Sequence, residues 1–341
     1  MKSLVTGVSG QDGAYLASQL LDEGGQVWGL HRRTSSPNFW WLEELGILDH
    51  PNFKLVCADL LDLSSIIEIL RKVKPDEVYN LAAQSFVGTS FSQPHYTTLV
   101  NSLGPLNILE AIRLVSKDIR MYQAGTSEMY GGVSEFAVED YERFEPKSPY
   151  GAAKLNAYWS ARVYREAYGM FVANGILFNH ESPLRGEEFV TRKIAKFVNE
   201  WQRGKRTPLR LGNLNAKRDW GFAPEYVEAM KRMLRASRPD DFVLATGISI
   251  SVRDFLASSF NVIGLEIDFV GEGVEERGVS RRSGETVCIV TEELFRPLEV
   301  NILVGNYAKA LSNLGWKPKT YAGELARIMV SAELEGQRRL K

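Results

Sequence analysis

The segment from Gly7 to Gly13, GVSGQDG, constrains the fold of this chain more than any other feature. It follows the first apolar run, Ser3–Val5, and opens a helical pattern. Glycines at a strand-to-helix junction permit a tight turn and a close approach of the main chain to a pyrophosphate, and the helix N-terminus attracts negative charge. The spacing is Gly-x-x-Gly-x-x-Gly, and a glycine triplet alone is weak, so its position between strand and helix carries the prediction. We expect dinucleotide contacts from Gly7, Gly10, Gln11, Asp12 and Gly13.

The first half of the chain alternates short apolar runs with longer segments of helical periodicity, which indicates crossover units and a parallel sheet. Strands are predicted at Ser3–Val5, Gln26–Leu30, Phe53–Cys57, Glu77–Asn80, Arg120–Ala124 and Phe171–Ile176. Helices are predicted at Gly13–Glu23, Leu63–Val73 with Asp62 as its N-cap, Thr97–Val115 and Gly151–Tyr168. Because proline removes an amide donor and clashes with the preceding turn, we expect a kink or a late helix start at Gly104-Pro105. The fold class is α/β, a doubly wound parallel (Rossmann) sheet.

The second half has a different character, with helical segments joined by longer loops that carry Gly and Arg. Helices are predicted at Arg192–Arg203, Glu225–Arg235, Val252–Val262, Tyr307–Leu314 and Tyr321–Glu335. A surface loop is predicted at Glu272–Glu285. We therefore expect a dinucleotide-binding domain over residues 1–170 and a smaller, mainly helical substrate domain over 171–341, with residues around 205–235 returning to the first domain.

Charge and composition exclude several classes of protein. The net charge is −1, with both signs interspersed, whereas a nucleic-acid surface needs a clustered basic face. No stretch approaches the roughly 18 apolar residues of a membrane span. Two cysteines, Cys57 and Cys288, are too few for a disulfide scaffold and are predicted to be reduced core thiols. We expect a cytoplasmic protein without a metal site, since the four histidines form no ligand cluster with cysteines or carboxylates.

Two short motifs bring together side chains suited to redox chemistry on a sugar alcohol. Thr126 and Glu128 follow the predicted fifth strand, and Tyr150 and Lys154 lie four residues apart on the next helix. That spacing places the phenol and the ammonium on one helix face, where the ammonium is expected to lower the pKa of Tyr150. By itself Tyr-x-x-x-Lys also arises by chance as a surface pair, because the chain has 13 tyrosines.

The end of the second predicted strand bears on the choice of cofactor. An NAD-binding protein places an acidic residue there, but this chain has His31-Arg32-Arg33-Thr34-Ser35. Guanidinium groups match a 2′-phosphate, so NADP is favoured over NAD, the alternative being a solvated arginine pair. Further cofactor contacts are expected from Asp59 and Leu60, after the third strand, and from Leu81, Ala83 and Ser85, after the fourth.

With these elements in place, the chain resembles the extended short-chain dehydrogenase/reductase family and, within it, the 4,6-dehydratases that act on GDP-mannose. The resemblance covers essentially the whole length. It is carried by TGVSGQDG at 6–13, NLAAQS at 80–85, TSEMYG at 126–131, SPYG at 148–151, GILFNHESP at 175–183 and AKRDWG at 216–221. Departures are Gly125, where the family suggests serine, and Asn301 and Asn306-Tyr307 near the C-terminus, which we expect to affect surfaces or helix capping.

The resemblance implies site residues as well as a fold. NADP is the implied cofactor, and the sugar nucleotide binds between the two domains. The implied catalytic residues are Thr126, Glu128, Tyr150 and Lys154. The implied cofactor contacts add Tyr96, Tyr150, Lys154, His180 and Arg185. The implied substrate contacts are Ser85, Thr126, Glu128, Asn179, Lys193, Arg218 and Arg277, of which Arg277 is a weaker candidate, as is Arg296. A homotetramer or homodimer is implied, because Trp40-Trp41 follow an arginine loop that reaches a neighbouring subunit in this family.

The implied reaction is a redox-neutral dehydration of GDP-mannose. Tyr150 and Thr126 are expected to serve oxidation at C4, and Glu128 to serve elimination across C5 and C6. Glu128 disfavours an epimerase or a 4-keto reductase, although it is alternatively an ion-pair or helix-capping residue. A dehydratase for a related sugar nucleotide such as GDP-manno-heptose stays open, as does a non-catalytic dinucleotide sensor built on the same fold.

Overall fold

The computed structural model describes residues 1–36, 38–132, 144–295, 298 and 300–336. The strands, in chain order, are β1 (Lys2–Thr6), β2 (Gln26–His31), β3 (Phe53–Cys57), β4 (Glu77–Asn80), β5 (Arg120–Ala124), β6 (Val172–Leu177), β7 (Asn179–Glu181), β8 (Leu209–Leu211), β9 (Lys217–Phe222), β10 (Asp241–Leu244), β11 (Ser249–Ser251), β12 (Ile267–Val270), β13 (Arg277–Ser280), β14 (Thr286–Val290) and β15 (Ile302–Leu303).

The helices pack on and around these strands. They are α1 (Gln11–Asp22), α2 (Trp40–Glu44), α3 (Leu63–Val73), α4 (Val87–Ser92), α5 (Pro94–Thr98), α6 (Gly104–Val115), α7 (Pro149–Tyr168), α8 (Val190–Gln202), α9 (Ala223–Arg235), α10 (Val252–Asn261), α11 (Ala308–Leu314) and α12 (Ala322–Leu334). All the predicted helices are present, with ends that differ by a few residues, and Asp62 caps α3 by accepting a hydrogen bond from Ser64.

A seven-stranded parallel sheet in the order β10-β6-β5-β4-β1-β2-β3 forms the centre of the molecule. Every residue of β4 and β6 is buried, as expected for parallel strands covered on both faces. One face packs on α1 and α9, and the opposite face on α3 and α6. The chain order reverses between β1 and β4, and ligands of such sheets bind beyond the carboxyl ends of the strands at that point. The doubly wound fold is confirmed.

The interruption predicted near Pro105 is present. Residues Leu99–Leu103 form a π-helical segment between α5 and α6, and α6 begins at Gly104, which places Pro105 in its first turn. The amides of the first turn have no acceptor within their own helix, so a proline there costs no hydrogen bond. The regular α-helix therefore begins again just before Pro105.

The second half contains strands that the sequence analysis missed. Beside α8, α10 and α12 it carries two four-stranded sheets, one with the path β11-β9-β15 joined by β7, the other in the order β12-β13-β14-β8. The surface loop predicted at Glu272–Glu285 was wrong in part, because β13 lies within it and pairs with β12 and β14. These strands are only two to six residues long, too short for a clear alternating pattern.

Two smaller predictions have mixed outcomes. Cys288 is buried in β14, but Cys57 is exposed because it ends β3, the edge strand of the large sheet, so its assignment to the core was wrong. Asn306 accepts a hydrogen bond from the amide of Ala308, the first residue of α11, which agrees with the expected effect on capping. None of the described helices is both long and apolar enough to cross a membrane.

Candidate active site

A cavity at the carboxyl ends of β1, β2 and β4 is formed largely by the main chain and small side chains. Gly7 has φ +68°, and a Cβ there would lie 2.8 Å from the amide nitrogen of Ala82. The Thr6 hydroxyl fixes that facing segment by accepting hydrogen bonds from the amides of Leu81 and Ala82, each at 3.1 Å. Gly10 precedes α1 without capping it through a side chain, so the helix N-terminus is open to an anion. We call this the dinucleotide cavity.

Most of the predicted cofactor contacts line the dinucleotide cavity or the neighbouring one. Those lining the dinucleotide cavity are Gly7, Gly10, Arg32, Asp59, Leu60, Leu81, Ala83, Ser85 and Tyr96. Arg32 donates a hydrogen bond to the Tyr96 hydroxyl at 3.1 Å, which places its guanidinium at the rim. Arg33 and Ser35 are exposed and line neither described cavity, and Gln11 and Gly13 are buried beside the cavity rather than in its wall. The glycine turn, the open helix end and Arg32 together fit a phosphorylated dinucleotide.

The second cavity collects the four predicted catalytic side chains, and we call it the catalytic cavity. Thr126, Glu128, Tyr150 and Lys154 all line it and are between 5% and 8% exposed. Leu81, Ala83 and Ser85 line both cavities, so the two are adjacent.

Local structure explains how these side chains converge. Thr126 follows β5, and its hydroxyl accepts a hydrogen bond from the Glu128 amide at 3.2 Å, which shapes the short 3₁₀ turn that follows. Ser148 caps α7 by accepting from the Gly151 amide. A Cβ on Gly151 would lie 2.7 Å from the Glu128 carbonyl oxygen, so the start of α7 packs directly on the Glu128 turn.

Tyr150 and Lys154 share one face of α7, as the spacing predicted, with the ammonium 5.9 Å from the centre of the phenol ring. The expected lowering of the tyrosine pKa was wrong for the protein without cofactor, because burial raises the pKa of Tyr150 to about 12, although a hydrogen bond with Thr126 opposes the shift. Burial also lowers the pKa of Lys154 to about 8. The Lys154 ammonium donates to the carbonyl of Ala124, at the end of β5, at 3.0 Å.

Gly125 departs from the family pattern at a tight packing position. Its amide donates to the carbonyl oxygen of Gly175 at 2.7 Å, and a Cβ at this site would lie 2.9 Å from the same oxygen. A serine here would therefore require β5 and β6 to shift slightly below the catalytic cavity.

The far end of the catalytic cavity is rich in cations. Asn179, His180, Arg185, Lys193 and Arg218 line it, as predicted for substrate or cofactor contacts. Arg185 stacks on Phe189 with the guanidinium carbon 3.5 Å from the ring centre. Arg277 is exposed on β13 and does not line this cavity, and Arg296 lies outside the described residues.

Sequence reasoning missed other residues of this wall. Arg210 on β8 and Asn213 just after it line the cavity, and Arg210 is also paired with Glu293 at 2.6 Å. These residues belong to the sequence Leu-Arg-Leu-Gly-Asn. A strand of three residues followed by a turn is too short to be told from a loop by its sequence pattern. Among the described residues, no group of three or more His, Cys, Asp or Glu side chains is placed to hold a metal ion.

Comparison with known proteins agrees with this geometry. The profile of the family described as GDP-mannose 4,6 dehydratase matches residues 4–329. The chain belongs to this family. It is 48% identical to the GDP-mannose 4,6-dehydratase of Sinorhizobium fredii over 97% of this chain and 96% of that protein, and 45% identical to that of Vibrio cholerae over 98% and 94%.

A solved structure extends the likeness to the fold. The dTDP-glucose 4,6-dehydratase from Streptomyces venezuelae, determined with NAD bound, superposes with a TM-score of 0.79 over 97% of each chain. Its sequence is 23% identical to this one, so it supports the fold alone. The seven-stranded sheet and the smaller sheets beside it thus form an arrangement also found outside the GDP-mannose 4,6-dehydratase family.

Proposed function

We propose that this protein is a sugar-nucleotide 4,6-dehydratase that converts GDP-D-mannose into GDP-4-dehydro-6-deoxy-D-mannose and water, with tightly bound NADP. The observation that carries the proposal is the position of Glu128 beside Thr126, Tyr150 and Lys154 in one buried cavity. An epimerase acts at C4 alone, whereas elimination needs a group that moves protons at C5 and C6. Membership of the GDP-mannose 4,6-dehydratase family supports the choice of sugar nucleotide.

The side chains then divide the reaction between them. Tyr150 accepts the proton of the C4 hydroxyl, and Thr126 hydrogen-bonds the same oxygen. Glu128 removes the C5 proton, which the C4 ketone has acidified, and protonates the departing C6 hydroxyl, so water leaves. The bound cofactor supplies a hydride acceptor for C4, a hydride donor for C6 and a positive charge that favours the Tyr150 phenolate. C5 is finally reprotonated, and the net change is the loss of one water.

Tyr150 needs assistance to act as a base. With a pKa of about 12, its hydroxyl stays protonated at neutral pH in the protein without cofactor. Opposite charge nearby favours the ionised form of a phenol, and Lys154 on the next helical turn is the chain's own contribution. We infer that Tyr150 becomes a usable base only in the complex with cofactor.

NADP is preferred to NAD in this proposal because Arg32 stands at the rim of the dinucleotide cavity where an NAD-binding protein has a carboxylate. The dissociation constants of the two cofactors test this preference, and tighter binding of NAD would contradict it. We also propose that the large sheet binds the cofactor and that the two small sheets supply most of the substrate contacts. The boundary between a cofactor domain and a substrate domain near residue 170 therefore stays a prediction. A cytoplasmic location likewise stays a prediction.

A homotetramer or homodimer is part of the same proposal. Trp40 is 67% exposed on α2, just after Asn38 and Phe39 in the wall of the dinucleotide cavity. An indole that open to water is unusual on a monomer and is favoured at protein interfaces. Sedimentation at working concentration is expected to give two or four subunits, and a monomer would contradict the assignment.

The reaction is tested by incubating the NADP-loaded protein with GDP-mannose in deuterated water and examining the product by mass spectrometry. Loss of water with one carbon-bound deuterium, at C5, is the expected result. An unchanged mass would refute the proposal for this substrate. GDP-manno-heptose in a parallel incubation tests the alternative substrate by the same mass change.

A further inference from the structure

The first turn of α1 faces the segment Asn179–Arg185, and Gln11 joins the two. The side-chain amide of Gln11 donates to the carbonyl oxygen of His180 at 3.1 Å and to the carboxylate of Asp12 at 3.0 Å, and its oxygen accepts from the Ser182 hydroxyl at 2.7 Å. Gln11 is 7% exposed and lines neither cavity. Both ends of its amide are therefore committed to protein partners.

Ser182 links Gln11 to the next part of the segment through two hydrogen bonds. Its hydroxyl donates to Gln11 and accepts from the amide of Leu184 at 3.0 Å. Ser182 is fully buried and lines neither cavity, so its hydroxyl contacts no ligand bound there. Gln11 and Ser182 thus fix the conformation of a segment of which Asn179, His180, Glu181 and Arg185 line the catalytic cavity.

His180 is held by two acceptors. Its Nε2 lies 2.7 Å from the Asp12 carboxylate, and its Nδ1 lies 2.7 Å from the carbonyl oxygen of Phe178. A carboxylate and a carbonyl only accept hydrogen bonds, so both ring nitrogens must carry protons for both contacts to form, which makes the ring an imidazolium. The ring also stacks on Tyr226 of α9, with centroids 4.8 Å apart and an interplanar angle of 18°.

The charged groups around His180 are consistent with this geometry. Burial lowers the pKa of His180, but the Asp12 carboxylate outweighs burial, so the pKa lies above its ordinary value even though Arg185 opposes the shift. For Asp12, burial raises the pKa, and His180 more than compensates, so the pKa lies below its ordinary value. Tyr226, whose ring stacks on that of His180, is neutral because burial raises its pKa well above the ordinary value.

We propose that Gln11 and Asp12 are positioning residues: they clamp Asn179–Arg185 against the first turn of α1 and hold His180 as an imidazolium in the wall of the catalytic cavity, which Asp12 also lines. The clamp deepens the proposed function and rests on it for the identity of the sugar nucleotide. It assigns Gln11 a role different from the cofactor contact predicted from the glycine-rich segment. The clamped segment lines the catalytic cavity and not the dinucleotide cavity. A defect in the clamp is therefore expected to weaken sugar-nucleotide binding more than NADP binding, although Gln11 and Asp12 lie in the glycine-rich turn.

Ser182→Ala tests the clamp without touching either cavity. The matched control is Ser259→Ala, which removes an equally buried hydroxyl that donates to the Phe255 carbonyl within α10. Steady-state kinetics of the NADP-loaded proteins are expected to show the KM for GDP-mannose raised about tenfold in the first variant and unchanged in the control, since the hydrogen bonds of the Ser182 hydroxyl to Gln11 and Leu184 are lost. The NADP dissociation constant is expected to stay within about twofold in both variants. Weaker NADP binding alone, or no effect on either ligand, would overturn the clamp.

Nitrogen NMR of the histidine rings tests the imidazolium independently of ligand and activity. Over a pH series, the His180 ring is expected to lose one of its two ring protons at a higher pH in the wild type than in Asp12→Asn, because the Asp12 carboxylate raises the pKa of His180. His180→Gln identifies the signal among the four histidines. The same titration in both proteins would overturn this part of the proposal. If the wild type binds no GDP-mannose, the proposed function fails, while the NMR result still decides whether the clamp exists.

Discussion

The two adjacent cavities are built in different ways. The dinucleotide cavity has glycines, alanines and serines near the start of α1 and the end of β4, whereas the catalytic cavity brings together buried ionisable side chains from several elements. Main-chain sites depend on whether the backbone can come close, and side-chain sites depend on protonation and charge. Substitutions in the first cavity are therefore expected to change binding, and substitutions in the second to change turnover.

The largest expected effect comes from the catalytic cavity. Tyr150→Phe is expected to lower kcat by about a thousandfold, because the base at C4 is removed, while the NADP dissociation constant changes by less than about threefold. Tyr164→Phe is the matched control on the same helix, since its hydroxyl donates only to Glu110 on α6. Steady-state kinetics measure kcat, and cofactor titration measures the dissociation constant of NADP. If Tyr150→Phe weakens NADP binding as much as it lowers kcat, the distinction between the two cavities is wrong.

The next effect belongs to the dinucleotide cavity. Gly7→Ala is expected to weaken NADP binding by about a hundredfold, because its Cβ would lie 2.8 Å from the amide nitrogen of Ala82, and relief of that contact moves the wall of the cavity. Gly24→Ala is the control, since Gly24 also has a positive φ, +79°, but no atom within 4 Å of a built Cβ. It is expected to cost about 1 kcal/mol of stability and to bind NADP normally. Similar NADP affinities for the two variants would count against the close-approach argument.

A third prediction concerns the stability cost of the catalytic cavity. Lys154→Met is expected to stabilise the cofactor-free protein by about 2–3 kcal/mol at neutral pH, because burial lowers the pKa of Lys154 to about 8 from 10.5 in the unfolded chain. The unfolded chain binds the extra proton between these values, so the cost is complete below pH 8 and vanishes as the pH rises towards 10.5. Urea unfolding across this pH range measures it. A variant less stable than wild type at neutral pH would contradict the assigned burial cost.

The smallest expected effect concerns Arg32 and the preference for NADP over NAD. Arg32→Ala is expected to weaken NADP binding about tenfold and to leave NAD binding unchanged, because a charge-assisted contact to the 2′-phosphate is lost. Arg33→Ala is the neighbouring control, since Arg33 is exposed and outside the wall of either described cavity. If Arg33→Ala has the larger effect on NADP binding, the placement of these two side chains is wrong.

The sequence predicted the strands and the glycine turn around the dinucleotide cavity better than the protonation of the side chains in the catalytic cavity. Strands β3, β4 and β5 and helix α3 have the bounds expected from their apolar patterns. The turn at Gly7 was also expected, because a positive φ and a close main-chain contact both require glycine. The doubly wound parallel class follows from the alternation of strands and helices, although β10, the seventh strand of the sheet, was not predicted. These features depend on local periodicity, which a single sequence contains.

Other features depend on contacts between distant parts of the chain. The pKa of Tyr150 was predicted in the wrong direction because the Tyr-x-x-x-Lys spacing shows the ammonium but not the depth of burial. The clamp joins Gln11 to Ser182 across 171 positions and leaves no local pattern. Arg210 reaches the catalytic cavity only because β8 pairs with β14, a strand some 80 residues later.

In the proposed reaction, Glu128 acts in elimination, after Tyr150 and Thr126 have served oxidation at C4. The most direct test mixes NADP-loaded Glu128→Gln rapidly with GDP-mannose and follows the absorbance of the reduced nicotinamide together with the sugar product. Reduced cofactor is expected to accumulate together with a 4-keto sugar nucleotide that still carries its C6 hydroxyl. Normal turnover to the dehydrated product, or no reduction of a cofactor that is bound normally, would contradict it.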